Sequence, residues 1–406
     1  MTERLAAATV ETELPDDLLD ALVDPHGFAW LHEGDGFVGW GQAARIEVEP
    51  GPGRWQRAAE SLAGAFRAIG PGDDLDAAGS GPVAFGAFTF DPDVEGSALV
   101  IPSVVAGRRC GRSWITRVGP EPLVDGREAP EDDRIRYWGP SQSEITWLDA
   151  VASAEKAVRA GEIDKVVLAR DMRVWSKTAL SSRRMLKRLE ERFPECFSFA
   201  VDGLVGATPE LLVRVMGRQL ESLVLAGSIR RGRDDEEDAR LGASMLESAK
   251  DGREHEISVR DVSEIVATLC DDVAIGDAWL LKLANVQHIA TTVRGTLAAP
   301  LTSLEVAGRL HPTAAICGRP RDEALAMIRR LEGMDRARYS GPVGWVDARG
   351  NGEWGIALRC AEVDGGNARL FAGAGIVAGS TPEGELDETR IKLLAMQSAL
   401  SETRDA

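Results

Sequence analysis

Cysteine and tyrosine are scarce in this chain, and long apolar runs are missing altogether. Five cysteines (Cys110, Cys196, Cys270, Cys317 and Cys360) are scattered through 406 residues, with no C-x-x-C pair among them. An odd, dispersed set reads as reduced thiols in a cytoplasmic protein rather than as a disulfide framework. No stretch nears the roughly 18 consecutive apolar residues of a membrane span. The first residues, MTERLAAATVETELPDDLLD, lack the basic-then-apolar order of a secretory signal. Positive charge is in deficit as well: 47 Lys and Arg against 65 Asp and Glu leave a net charge of −18. That balance argues against a nucleic-acid or anionic-membrane partner. A small anion is still admissible, because a cation and a few basic side chains can reverse the field inside a cleft.

The rest of the composition is ordinary for a globular protein, with 44% hydrophobic and 28% charged residues. The length allows one large domain or two to three smaller ones. Through about residue 140, short apolar runs alternate with Gly, Pro and Asp turns. GPVAFGAFTF and SALVIPSVVAG read as strands, WQRAAESLAGAFRAI as an amphipathic helix, and PEPLVDGREAPEDDR as an exposed connection. From Ser141 onward the pattern is more regular. A helix, TWLDAVASAEKAVRAGEI, precedes the strand DKVVLARDMRV, and SSRRMLKRLEERF forms a second helix. CFSFAV, LVGATPELLVRV and QLESLVLAG read as consecutive strands that favour antiparallel neighbours. EEDARLGASMLESAKDGREHEISVRDVSEIVATLC reads as one long helix, with Leu246, Ile257, Ile265 and Leu269 on its apolar face. RYSGPVGWVDARG, WGIALRCAEV and ARLFAGAGIVAG are strand signals, followed by a last helix with Thr389, Leu393, Met396 and Leu400 on its apolar stripe. This mixed order points to an α+β fold rather than a doubly wound parallel sheet.

Two acidic clusters carry the chemistry. Asp251 and Glu254 stand three residues apart in KDGREHE, and Glu385 and Glu388 stand three apart in GELDETRIK. On helices, i and i+3 side chains share a face, so each cluster presents two carboxylates in one direction. Four carboxylates that converge need a cation between them. Oxygen-only ligands select a hard ion, of which Mg²⁺ is the usual one. The alternative is a pair of solvated helix faces.

Other residues stand out singly. Lys165 opens the apolar strand KVVLA, either as a snorkelling end-cap or as a desolvated general base. Glu210 in GATPELLVRV is a turn residue or, if buried in a cleft, an acid able to donate a proton. In LAGSIRRGRD, Gly227 and Ser228 offer backbone N–H groups. Arg230, Arg231 and Arg233 beside them form either an anion cradle or a surface turn balancing DDEED. His288 lies in a strand-like segment, as a structural residue or a catalyst. The turns of LHPTAAICGRP can hold Ala315 and Ile316 against a ligand. Arg359 is a lone charge in an apolar strand, which needs a partner such as a substrate carboxylate. Tyr339 is one of two tyrosines, a donor to a ligand or a core residue. Gly373 and Gly375 form a G-x-G that closes a strand rather than opening a βαβ unit, so a dinucleotide site is rejected.

In order along the chain, KVVLAR, GATPELL, LAGSIRRG, KDGREHE, HPTAAICGRP, YSGPVGW, IALRCAEV and AGAGIVAGSTPEGELDET resemble the chorismate-utilising enzymes. These include isochorismate, salicylate, anthranilate and aminodeoxychorismate synthases. The resemblance spans about residues 145–400 and implies a single domain over 1–406, in which 1–140 complete two antiparallel sheets packed as a sandwich with helices outside. It implies that Asp251, Glu254, Glu385 and Glu388 hold Mg²⁺ against the ring carboxylate of chorismate. It implies that Lys165 is the base for water and Glu210 the acid, and that Arg359 and Tyr339 contact the enolpyruvyl group. Gly227, Ser228, His288, Gly373, Gly375 and Lys392 match substrate-lining positions. Ammonia-using members usually lack the lysine found at Lys165, and the nucleophilic lysine of aminodeoxychorismate synthases is replaced by Ala226. Salicylate synthases resemble the chain but typically carry Thr where Ala315 stands; Ala315-Ile316 resembles isochorismate synthases. The expectation is therefore a monomeric, Mg²⁺-dependent isochorismate synthase without a glutaminase subunit. Its product would serve menaquinone or siderophore synthesis, and the alternative is a salicylate synthase.

Overall fold

A computed structural model describes residues 5–24, 27–70, 72–73, 75–119 and 135–401. The connection expected over PEPLVDGREAPEDDR lies outside the described residues. Among these residues the chain forms two sheets, of twelve and ten strands, in which all strand pairs are antiparallel. Strands from the first 118 residues enter both: Ala7–Glu11, Phe28–His32, Asp35–Trp40, Val104–Arg109 and Arg112–Val118 join the larger sheet, while Ala44–Val48, Val83–Ala87 and Ser97–Ile101 join the smaller one. Among the described residues no helix is long and apolar enough to cross a membrane.

The sheets face each other across an aromatic layer. Phe28 stacks on Phe85 at 5.6 Å, and Phe37 meets Trp345 edge-on at 4.7 Å. Glu353, 4% exposed, ties the layer together. It accepts hydrogen bonds from Trp30 Nε1 (2.8 Å) and Trp345 Nε1 (3.3 Å) and pairs with Arg214 (2.8 Å) and Arg109. Burial works against its charge, but Arg109 and Arg214 hold it below the usual carboxylate range.

Several segments that read as single strands are two strands in different sheets. SALVIPSVVAG divides at Pro102-Ser103, between Ser97–Ile101 of the smaller sheet and Val104–Arg109 of the larger. LVGATPELLVRV divides at Pro209-Glu210, between Leu204–Thr208 and Leu211–Met216. WGIALRCAEV divides between Gly352–Ile356 and Cys360–Asp364. Arg359 is therefore not a charge within a strand but the last residue of a crossing, at φ +44°. Proline, lacking an N–H, is a natural point at which to leave a ladder.

The long helix expected before Cys270 is also two helices, Asp235–Glu247 and Ala249–Leu269. Ser248 is extended at ψ 118° and caps the second, accepting from Asp251 N at 3.3 Å. The break rotates Leu246 out to 49% exposure, while Ile257 and Leu269 stay buried. The final helix, Pro382–Leu400, buries Thr389, Leu393, Met396 and Leu400 as its stripe requires.

Candidate active site

The crossings at Glu210 and Arg359 lie side by side. Ile356 N donates to Glu210 O (3.1 Å) and Ala207 N to Arg359 O (3.2 Å). They form one wall of a cleft between the sheets with about 720 Å³ of space free of protein atoms, part of it open to solvent. Strand Asn367–Ile376 is paired with Lys165–Trp175, Gly375 lying opposite Val167 and Gly373 opposite Ala169. It supplies a second wall. A third comes from Gln219–Arg230 and Val286–Leu297, where a bulge between Ala226 and Ser228 puts Gly227 at φ +73° and pairs Ser228 with His288.

Glu210 is 6% exposed, and burial pushes it up to about 8 against the pull of Lys165, Lys392 and Arg359. Arg359 is 6% exposed and donates from Nη2 to His288 Nε2 at 2.6 Å. The accepting Nε2 leaves the proton on Nδ1, which donates to Gly227 O at 3.0 Å. His288 is thus neutral, held well below the usual histidine range by burial and by the Arg359 cation. Arg359 Nε and Nη1 are buried without a partner. Buried guanidinium donors left open beside a cavity call for an anion. Tyr339 stacks on Phe371 at 5.0 Å and lines the same cleft.

Lys165 is fully buried rather than snorkelling at a strand end. Its Nζ pairs with Glu254 and donates to Ser258 Oγ, each at 3.1 Å. Lys392 pairs with Glu388 (2.6 Å) and donates to Gly373 O (2.9 Å), and Lys250 pairs with Glu385 (2.7 Å). Three lysines and three glutamates therefore alternate at this end of the cleft. Burial raises Glu254, but Lys165, Lys392 and Lys250 together bring it below its ordinary value. Glu385 stays raised, through burial and the neighbouring Glu388. Gly375 leaves room here: a Cβ would lie 2.1 Å from Glu254 Oε1 and 3.1 Å from Lys165 Cε, so the glutamate carboxylate would have to move. Asp251 packs below Gly227, whose added Cβ would meet the Asp251 Cβ at 3.3 Å.

Glu254, from the helix Ala249–Leu269, and Glu388, from the helix Pro382–Leu400, line the same cleft, with Glu385 tied to Lys250. The oxygen donors of these carboxylates suit a hard divalent ion. Among the described residues, however, no three of these carboxylates are close enough to form a ready metal cage. The lysines stand between them.

Twelve of the fifteen expected site residues line the cleft; Lys165, Asp251 and Glu385 lie just behind its surface. The arginines of LAGSIRRGRD do not reach it. Arg230, Arg231 and Arg233 pair with Glu237 and Asp238 of the following helix. Sequence reasoning missed Lys250, although it stands next to Asp251, and Ser258, one turn beyond Glu254. It also missed Arg336. Buried at 3% exposure, Arg336 directs all five of its N–H groups to the site's frame: Ile316 O (2.9 Å), Val167 O (2.8 Å), Ser340 Oγ (3.1 Å) and, twice, Glu332. Glu332 and Ser340 stand four residues to either side of Arg336, but the carbonyls of Ile316 and Val167 come from distant segments, so no local pattern announces the whole set.

The family model described as chorismate binding enzyme matches residues 126–401. The isochorismate synthase MenF of Bacillus subtilis is 32% identical over 356 residues, covering 80% of this chain and 76% of that protein. The isochorismate synthase EntC of Escherichia coli is 36% identical over 325 residues, covering 78% and 80%. The solved structure of MenF, the menaquinone-specific isochorismate synthase of Escherichia coli, superposes with a TM-score of 0.81 at 25% identity, covering 98% of this chain and 95% of that one. The chain belongs to the chorismate-binding enzyme family, and these matched relatives are isochorismate synthases.

Proposed function

We propose that the protein is an isochorismate synthase, converting chorismate to isochorismate by adding water at ring C2 and losing the C4 hydroxyl. One observation carries the assignment. Arg359, buried with two unpartnered donors, shares a cleft with a carboxyl that burial keeps protonated up to about pH 8. An anion-binding cation and a proton donor in one cleft suit a substrate whose carboxylate is gripped while its hydroxyl is expelled.

Each residue has a stated task. Lys165, acting as the base in its neutral form, takes a proton from water, whose oxygen bonds to C2. The two ring double bonds shift, and the C4–O bond breaks as Glu210 gives its proton to the departing hydroxyl. In the reverse direction the two exchange roles, so the reaction runs both ways. Arg359 and Tyr339 hold the enolpyruvyl group, with His288 fixing the guanidinium plane through its Nε2. Gly227, Ser228, Gly373 and Lys392 border the ring, and Gly375 keeps the floor open. Asp251, Glu254, Glu385 and Glu388 would hold Mg²⁺, which would supply the positive charge that orients and screens the ring carboxylate. Ala315-Ile316 packs against the pyruvyl ether and keeps it attached. Water is the nucleophile, so no glutaminase subunit is needed; the monomeric state follows the resemblance to the family.

The test is incubation of the purified protein with chorismate and Mg²⁺, with products separated at several times. The expected result is isochorismate in equilibrium with chorismate and no pyruvate. Salicylate with stoichiometric pyruvate would instead make the protein a salicylate synthase and remove Ala315 as the specificity determinant. Turnover that requires ammonia would overturn water as the nucleophile.

A further inference from the structure

Three lysines face the acidic end of the cleft, and they are not equivalent. Lys165 is fully buried and bound to Ser258 as well as Glu254. Lys392 is anchored twice, by Glu388 and by Gly373 O. Among the described residues Lys250 hydrogen-bonds to Glu385, at 2.7 Å, and its side chain is 34% exposed. It sits in the first turn of the helix Ala249–Leu269. The positive end of the helix dipole disfavours a cation there, so the carboxylates and not the helix hold it in place. Glu388 and Glu254 act on the same charge through space. Its partner Glu385 is 1% exposed.

We propose that Lys250 is a built-in competitor for the divalent cation: its ammonium holds the cation's place among Glu254, Glu385 and Glu388 until the metal displaces it towards solvent. The inference rests on the reading of these carboxylates as a Mg²⁺ site. It accounts for two observations together. The donor set suits a divalent ion, yet no three carboxylates are gathered into a cage. A buried carboxylate with no counter-charge is costly, so a site that must spend time without metal needs a resident cation. That cation must also be able to leave, and of the three lysines Lys250 alone has both a solvent-facing side and a single hydrogen-bonded anchor. The consequence is that metal binding includes the loss of the Lys250–Glu385 pair. Mg²⁺ therefore binds more weakly to the free enzyme than its carboxylates alone would allow.

The test is calorimetric titration of Mg²⁺ into the full chain without substrate, for the wild type, Lys250→Met, Lys250→Gln and Glu388→Gln. Removing the competitor should tighten Mg²⁺ binding by about fivefold, the upper end of what a partly exposed ion pair contributes. The rise in melting temperature at a fixed Mg²⁺ concentration should also be larger in the Lys250 variants. Glu388→Gln, which keeps Lys250 but loses a ligand, should weaken binding. If Mg²⁺ binds the wild type, binding falls in Glu388→Gln, and the Lys250 variants bind equally or more weakly, Lys250 is no competitor and the metal site stands. If neither the wild type nor the Lys250 variants bind Mg²⁺, the metal reading fails and the inference falls with it. Lys250→Gln, which keeps a polar end, gives the answer should Lys250→Met fail to fold.

Discussion

Glu210 owes its role to its position, not to its chemistry as a glutamate. At a sheet crossing it loses water, and burial raises it from 4.5 to about 8 although three cations stand near it. The folded protein therefore holds a proton on Glu210 that the unfolded chain releases above about pH 4.5. Its contribution to stability is full below that value and is lost as pH rises through about 8. Under the proposed mechanism activity should follow the same titration, because the forward reaction would need the protonated acid. The pH profile of kcat/KM should show an alkaline limb near 8. Glu210→Gln should lower kcat by ~10²–10⁴ and flatten that limb, the ordinary scale for a lost general acid. A variant with unchanged rate and profile would remove Glu210 from the mechanism.

Among the elements, strand Asn367–Ile376 acts mainly through side chains it does not have. Glycine at 375 lets the Glu254 carboxylate and the Lys165 stem pass directly over the backbone. Gly375→Ala puts a methyl into that contact and must push the glutamate aside. A displacement of about 1 Å at a reacting centre costs on the order of 10²-fold, so kcat/KM should fall by about that much while the circular dichroism spectrum is kept. Preserved kcat/KM would show that Glu254 can move without consequence. This requirement was only partly legible from sequence. The G-x-G was visible, and its place at the end of a strand argued against a nucleotide loop, but what it made room for was supplied by a helix more than a hundred residues earlier. Similarly, the i, i+3 spacing of the acidic pairs put both carboxylates of each pair on one side of a helix. It could not reveal that lysines would be interleaved with them. The break at Ser248 was hidden because alanine, serine and leucine on either side of it all tolerate a helix; the cap is decided by the direction in which the second helix must run to reach the cleft.

In the whole molecule, the sheets can be catalytic partners only if they keep their spacing, and Glu353 is the strongest link between them. Two indoles and two guanidinium groups converge on its carboxylate. Glu353→Gln removes the charge and keeps the shape. Because Arg109 and Arg214 are partly exposed, part of their loss is made up by solvent, and destabilisation of about 2 kcal/mol is expected, measurable by denaturant unfolding. An unchanged midpoint would mean that the aromatic packing alone sets the spacing. The α+β class was legible from the mixture of strand and helix signals. The division of strands between sheets was not: a segment such as WGIALRCAEV alternates smoothly whether it stays in one sheet or crosses to the other, and only the left-handed backbone at Arg359 marks the change.

The alternating lysines and glutamates have a further consequence under the proposed function. Chorismate and isochorismate carry the same two carboxylates and differ in where a hydroxyl sits. A cleft that recognises its ligand through charge grips both alike, so binding gives the catalyst no direction. Net flux must then come from outside the protein, from whichever step consumes isochorismate, and accumulated product should compete with substrate for the same cations.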